Sequence, residues 1–162
     1  MVKKILVVFL MSIISIYGYS TGAPKEACPD MKPQHPFDPQ SANEFPYNVT
    51  VSKTNVNQGG KVLITISGWK VKHFKGFLVQ VRDNKDAVGS FSIPPSYGLA
   101  QTLDCGSTNS AATHTSSDLK DTVELEWIAP FKYTGKLTLF TTVAKDGEVF
   151  WSKQKAIDIQ VL

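Results

Sequence analysis

The chain has 162 residues and 17 Lys and Arg against 14 Asp and Glu, for a formal charge of +3. Its 42% hydrophobic content suits one ordinary domain. Charge this low, with Arg82 as the sole arginine, disfavours a nucleic-acid partner.

The chain opens with Lys3 and Lys4, and an apolar run from Ile5 to Ile16 follows, broken only by Ser12 and Ser15. Gly18 and Ser20 then stand at −3 and −1 of a cleavage site. This order predicts a secretory signal peptide over residues 1–20. The run falls short of the ~20 apolar residues a spanning helix needs, and no later segment reaches that length. The expected product, residues 21–162, is a single soluble domain outside the cell. It carries +1, because the leader removes Lys3 and Lys4 and no acid.

Cys28 and Cys105 are the only cysteines. In an oxidising compartment two thiols of one domain are usually paired, the alternative being two buried free thiols. Asn48-Val49-Thr50 is a sequon, which makes Asn48 the candidate glycosylation site.

Residues 21–46 carry six prolines, from Pro24 to Pro46. That density excludes a helix or central strand and predicts an extended arm held by Cys28. From residue 47 to 162 the apolar residues alternate. Val49 and Val51 begin the pattern, and Val62, Ile64 and Ile66 continue it. Phe77, Val79 and Val81 share one face of the next run, and Val123, Leu125 and Trp127 one face of a later one. Leu137, Leu139, Thr141 and Val143, then Ile157, Ile159 and Val161, complete the series. Period two means half-buried strands.

Turn signals fall between these runs: Asn57–Gly60, Arg82–Asp86 with a short strand after it, and Asp146-Gly147. The last predicts a two-residue hairpin with Lys145 facing Glu148. Seven or eight such strands predict an all-β, two-sheet antiparallel sandwich, with a closed barrel as the alternative. Residues 94–118 read as one long loop pinned through Cys105.

The chemistry-bearing residues are sparse. No two of His35, His73 and His114 stand at metal-ligand spacing, and no Cys-x-x-Cys occurs, so no metal or cofactor is expected. His114 is followed by Ser116, Ser117 and Asp118, but neighbours on a strand cannot form a triad, and no Gly-x-Ser-x-Gly elbow exists. Alternation sets Thr113 and Thr115 opposite His114. His114 is therefore expected to make a structural hydrogen bond near the Cys105 loop. Glu124 and Glu126 alternate with apolar residues and mark a solvated strand face. No catalytic residue is assigned.

The stretch Gly68 to Phe77 interleaves Trp69, Phe74 and Phe77 with Lys70, Lys72, His73 and Lys75. Lysines act as compact charges suited to diffuse anionic surfaces. Lys70, Lys72 and Lys75 are the candidate anion-binding residues, for phosphates of lipopolysaccharide or lipoteichoic acid, with an aromatic adding apolar contact. The alternative is a strand connection with core aromatics and solvated lysines.

An ordered set of motifs completes the reading. "GAP" at Gly22–Pro24 precedes "CPDMKPQH" from Cys28, then "FPYNVTVS" and "HFKGFLVQVR" from His73. Cys105, "THTS", "EWIAP", "GKLTLFTTV" and "VFWSK" follow. This set resembles the reeler (reelin-like) domain family, and the single-domain form resembles its insect defence proteins. The resemblance spans the mature chain. It implies an immunoglobulin-like sandwich of about 7–9 strands, a Cys28–Cys105 disulfide, and secretion into haemolymph. It also implies a role in innate immunity: binding microbial surfaces or haemocytes, with antimicrobial or nodulation-promoting action. The other role it suggests is an extracellular adhesion module that binds host proteins. The matching positions Phe74, Gly76, Phe77, His114, Trp127, Pro130, Phe150 and Trp151 read as scaffold, and no catalytic residue carries over.

Overall fold

The computed structural model describes residues 19–68 and 73–162. Ten strands run in chain order: β1 (Tyr47–Val51), β2 (Asn55–Val56), β3 (Lys61–Gly68), β4 (Gly76–Arg82), β5 (Ser90–Ser92), β6 (Ala100–Leu103), β7 (Ala111–His114), β8 (Thr122–Ile128), β9 (Gly135–Ala144) and β10 (Phe150–Val161). They form two sheets, ordered β1-β3-β8-β5 and β2-β10-β9-β4-β7-β6. β2 runs parallel to β10, and every other pairing is antiparallel.

The alternating residues face each other across the sandwich. Val62, Ile64 and Ile66 of β3 and Val123, Leu125 and Trp127 of β8 are all fully buried. They meet Val79, Val81, Leu137 and Leu139 from the six-stranded sheet in one cluster. Glu124 is exposed and Glu126 half-buried, with Lys61 Nζ 2.8 Å from Glu126. The Trp127 indole donates to the Val88 carbonyl at 3.0 Å. Gly89, at φ +72°, lies against that indole, and a Cβ there would come within 2.6 Å of it. The backbone turn and the packing therefore both require glycine at position 89.

β4 departs from simple alternation: all seven of its residues are buried. Phe77, Val79 and Val81 face the sandwich core, while Leu78 belongs to a second cluster with Ala27, Met31, Ala87 and Ala111. The proline-rich arm thus forms a third layer on the outside of the six-stranded sheet. Polar side chains of that outer face hold its backbone. Gln80 Nε2 donates to the Cys28 carbonyl at 3.1 Å, Arg82 Nη1 to Pro29 at 3.0 Å, and Thr142 Oγ1 to Met31 at 2.6 Å. The Ala23 amide donates to Thr113 Oγ1 at 2.9 Å. Cys28 and Cys105 are bonded, with Cα atoms 5.4 Å apart.

Three local expectations are corrected. The span 94–118 is not one loop: it contains β6 and β7, paired from Ala100↔His114 to Leu103↔Ala111. The strands number ten among the described residues because β6 and β7 fall in the span expected to be loop and β2 pairs through only two residues, too few to show a period. Asp146-Gly147 does not make a two-residue turn. The ladder ends at Ala144↔Phe150, which leaves residues 145–149 as the loop. Asp146 Oδ1 accepts from the amides of Glu148 at 2.9 Å and Val149 at 2.8 Å, and this side-chain capping replaces the tight turn.

Lys120 has a structural role of its own. It is 2% exposed, and its ammonium donates to the carbonyls of Lys75 at 2.9 Å, Ser116 at 2.7 Å and Asp118 at 2.8 Å. Burial pushes its pKa below the usual lysine range, and Asp118 opposes that shift. Lys120→Met keeps the stem and removes three charge-assisted bonds. It is expected to cost about 2 kcal/mol, read as a lower urea midpoint with an unchanged slope.

Candidate functional site

An open cleft lies outside the sandwich core, between the arm and the end of the six-stranded sheet. This cleft has a volume of about 260 Å³. Half-buried Pro24 and Pro33 of the arm line it, together with Ala27, Met31 and Leu78, which are themselves buried. Met31 is fully buried and holds a left-handed backbone at φ 57°. Its amide donates to the Ala27 carbonyl at 2.8 Å, so the arm's turn is fixed from within and from the sheet. Lys75, Asp146, His35 and His114 bring polar groups to the same cleft.

His114 ends β7, and its ring packs over Gly76. A Cβ at Gly76 would stand 3.0 Å from the ring, so glycine there permits the close approach. Nε2 lies 3.2 Å from the Tyr19 carbonyl, which can only accept, so Nε2 carries the hydrogen. Nδ1 then accepts from the Phe77 amide at 3.2 Å. The expected structural hydrogen bond exists, but to Phe77 and Tyr19 rather than to the Cys105 loop. The strand ends at His114, and Thr113 Oγ1 comes within 3.2 Å of its Nδ1, contrary to the strict opposition expected from alternation. Ser117 also lines the cleft.

Burial pushes the His114 pKa below the usual histidine range, while the carbonyls of Phe77 and Tyr19, each 3.2 Å from a ring nitrogen, oppose the shift. The folded state therefore favours the neutral ring. Below about pH 6.5 the unfolded chain takes up the proton first, so stability is full above that pH and falls as pH drops through it. The urea midpoint is expected to decrease from pH 7.5 to 5.5, and to decrease less in His114→Gln.

The lysine-rich stretch divides. Lys70 and Lys72, with Trp69, lie outside the described residues. Lys75 is exposed at the entry to β4. Phe74 is fully buried and Phe77 is 2% exposed, both within the core, so neither aromatic offers apolar contact to a surface partner. His73 pairs with Asp121. Asn48 is exposed on β1. Of the scaffold positions, Phe74, Trp127 and Phe150 are fully buried and Trp151 nearly so, while Pro130 is half-buried just past β8. Among the described residues no group of three or more His, Cys, Asp or Glu is arranged to hold a metal. No helix among them is long and apolar enough to cross a membrane. The cleft itself was missed from sequence, because its walls come from segments more than a hundred residues apart.

Comparison with known proteins places this geometry. The model of the Reeler domain matches residues 26–161. Defense protein l(2)34Fc of Drosophila melanogaster is 33% identical over 162 residues, 98% of each chain. The candidate defence protein Hdd11 of Hyphantria cunea is 35% identical over 156 residues, 94% of each. A candidate ferric-chelate reductase 1 of Xenopus laevis is 37% identical over 150 residues, but these make up only 24% of that protein. The crystal structure of the Reelin-N domain of F-spondin superposes with a TM-score of 0.61 at 17% identity, covering 72% of this chain and 86% of that one, which shows the shared fold. The two-sheet architecture, the arm bonded through Cys28 and the match over residues 26–161 agree: this chain belongs to the reeler domain family.

Proposed function

We propose that the chain is a secreted defence protein that binds anionic components of microbial surfaces, lipopolysaccharide or lipoteichoic acid, through Lys70, Lys72 and Lys75. The observation that carries this reading is similarity to single-domain defence proteins over nearly their full length. The three lysines stand within six residues of sequence, and Lys75 is solvent-exposed. An exposed charge meets phosphates without the cost of desolvating a buried ion. Secretion follows from cleavage after Ser20, with Asn48 open to a glycan. Haemocyte surfaces, which also carry anionic groups, are the second partner in this reading, and antimicrobial or nodulation-promoting action would follow binding.

The test is sedimentation of the secreted protein with killed bacteria and fungi. The wild type is expected to pellet with the cells. The variant Lys70→Ala/Lys72→Ala/Lys75→Ala is expected to stay largely in solution with its melting temperature unchanged. Equal sedimentation of the two would remove the lysines from the site. Failure of the wild type to pellet, together with recovery of host extracellular proteins, would favour the adhesion role.

A further inference from the structure

We propose that Leu119 and Leu99 form an apolar rim beside the lysine stretch, so that the anion this end of the sandwich prefers is a glycolipid carrying acyl chains next to its phosphates. The inference rests on the anion-binding reading above and names the class of anion. The test below lets either fail alone.

Position is the first argument. The apolar contact expected of the lysine stretch cannot come from Phe74 or Phe77, which are in the core. Leu119, by contrast, is 62% exposed and Leu99 37%. Both stand at the end of the sandwich where the chain passes from β3 to β4. The Gly68 amide, at the start of that passage, donates to the Asp121 carbonyl at 3.0 Å. Phe74, near its end, exchanges both backbone hydrogen bonds with Lys120, at 3.0 and 2.9 Å. Leu119 therefore directly precedes a residue bonded to the lysine stretch. Leu99 reaches the same end from β6. The Gly98 carbonyl accepts from the Thr115 hydroxyl, just past β7, and β7 lies beside β4 in the sheet.

Both leucines sit on fixed backbone. The Lys120 ammonium ties the carbonyls of Ser116 and Asp118 to that of Lys75. The Leu99 amide donates to the Tyr97 carbonyl at 2.9 Å, and the Tyr97 hydroxyl accepts from the Glu124 amide at 2.7 Å. Little freedom is left to lose when a ligand covers these side chains, so most of the apolar gain appears as affinity.

Charge favours an amphiphile over a plain apolar partner. Lys75 is exposed beside the rim, and Lys70 and Lys72 belong to the same passage of chain. The acids nearest Leu119 are opposed: Asp121 pairs with His73, and Asp118 lies in the field of the Lys120 ammonium. From Ala87 to Leu103 the chain carries no charged residue, which leaves the surface around Leu99 free of competing ions. Phosphates meet the lysines, and the acyl chain beside them covers the leucines.

The purified protein is titrated near 0.15 M salt with lipopolysaccharide, and separately with the same material stripped of acyl chains but keeping its phosphates. The wild type is expected to bind the acylated form about tenfold more tightly. Leu119→Ser/Leu99→Ser is expected to bind the acylated form about tenfold more weakly and the stripped form unchanged. Leu119→Ser alone, at the more exposed position, is expected to lose about threefold with an unchanged melting temperature. Comparing variants on one ligand cancels the multivalency of its aggregates. Lipoteichoic acid before and after deacylation is expected to show the same preference. Equal wild-type affinity for acylated and stripped forms would overturn the proposal, as would wild-type binding of the acylated form by both leucine variants. If Lys70→Ala/Lys72→Ala/Lys75→Ala abolishes binding to forms that the wild type does not distinguish, only the acyl preference fails. If that variant keeps the full acyl preference, only the lysine reading fails.

Discussion

Replacing Cys28 and Cys105 together by Ser is expected to lower the unfolding free energy by about 4–5 kcal/mol. The bond links residues 77 apart in sequence, and closing so long a loop removes much of the unfolded chain's freedom. The native state contributes as well. The disulfide joins the arm to the turn after β6, within the small cluster of Ala27, Met31, Leu78, Ala87 and Ala111. Few apolar residues hold this part of the arm otherwise, and its other ties there include single hydrogen bonds to Gln80, Arg82, Thr113 and Thr142. The double variant should therefore show two effects. Its urea midpoint should fall steeply, and limited proteolysis should cut the arm before the sandwich unfolds. Equal midpoints for the variant and the wild type would mean that the arm's own contacts suffice.

Trp127→Ala is expected to cost about 3–5 kcal/mol, a fall on the order of 10 °C in melting temperature. Trp127 is the largest of the fully buried side chains. It sits at the centre of the four-stranded sheet, opposite Val62 on β3 and Phe91 on β5. Truncation would empty that volume and leave the Val88 carbonyl without its donor. The backbone at Gly89 is shaped around the indole and cannot collapse into the space without leaving its left-handed conformation. Trp127→Phe should recover most of the packing but not the hydrogen bond, and so fall between the two. A loss under 1 kcal/mol for the Ala variant, measured by denaturant titration, would contradict this account of the core.

The sandwich was legible because its strands obey one rule: alternate residues bury. Val123, Leu125 and Trp127 against Glu124 and Glu126 state that rule in a single strand. Residues whose environment depends on a distant segment were not legible. Leu78, Gln80 and Arg82 look like the wet face of β4, and only the path of the arm buries them. The same dependence hid the cleft, which Pro24 and Pro33 of the arm line together with His114 of β7. At Asp146-Gly147 the sequence pattern suited a tight turn, but the aspartate's own capping bonds to Glu148 and Val149 favoured a longer loop. His114 was expected to bond near the Cys105 loop, but its ring meets Phe77 and Tyr19 instead. Its partners were not foreseeable, because Tyr19 and Phe77 reach it only through the fold.

If Lys70, Lys72 and Lys75 meet microbial polyanions as proposed, titrating the purified protein against lipopolysaccharide and lipoteichoic acid at rising salt should show it. Binding is expected to be saturable at low ionic strength, and to weaken with salt but persist near 0.15 M, where the Debye length is about 8 Å. Absence of binding at low salt would contradict it. Binding that vanishes before 0.15 M would reduce it to generic charge attraction.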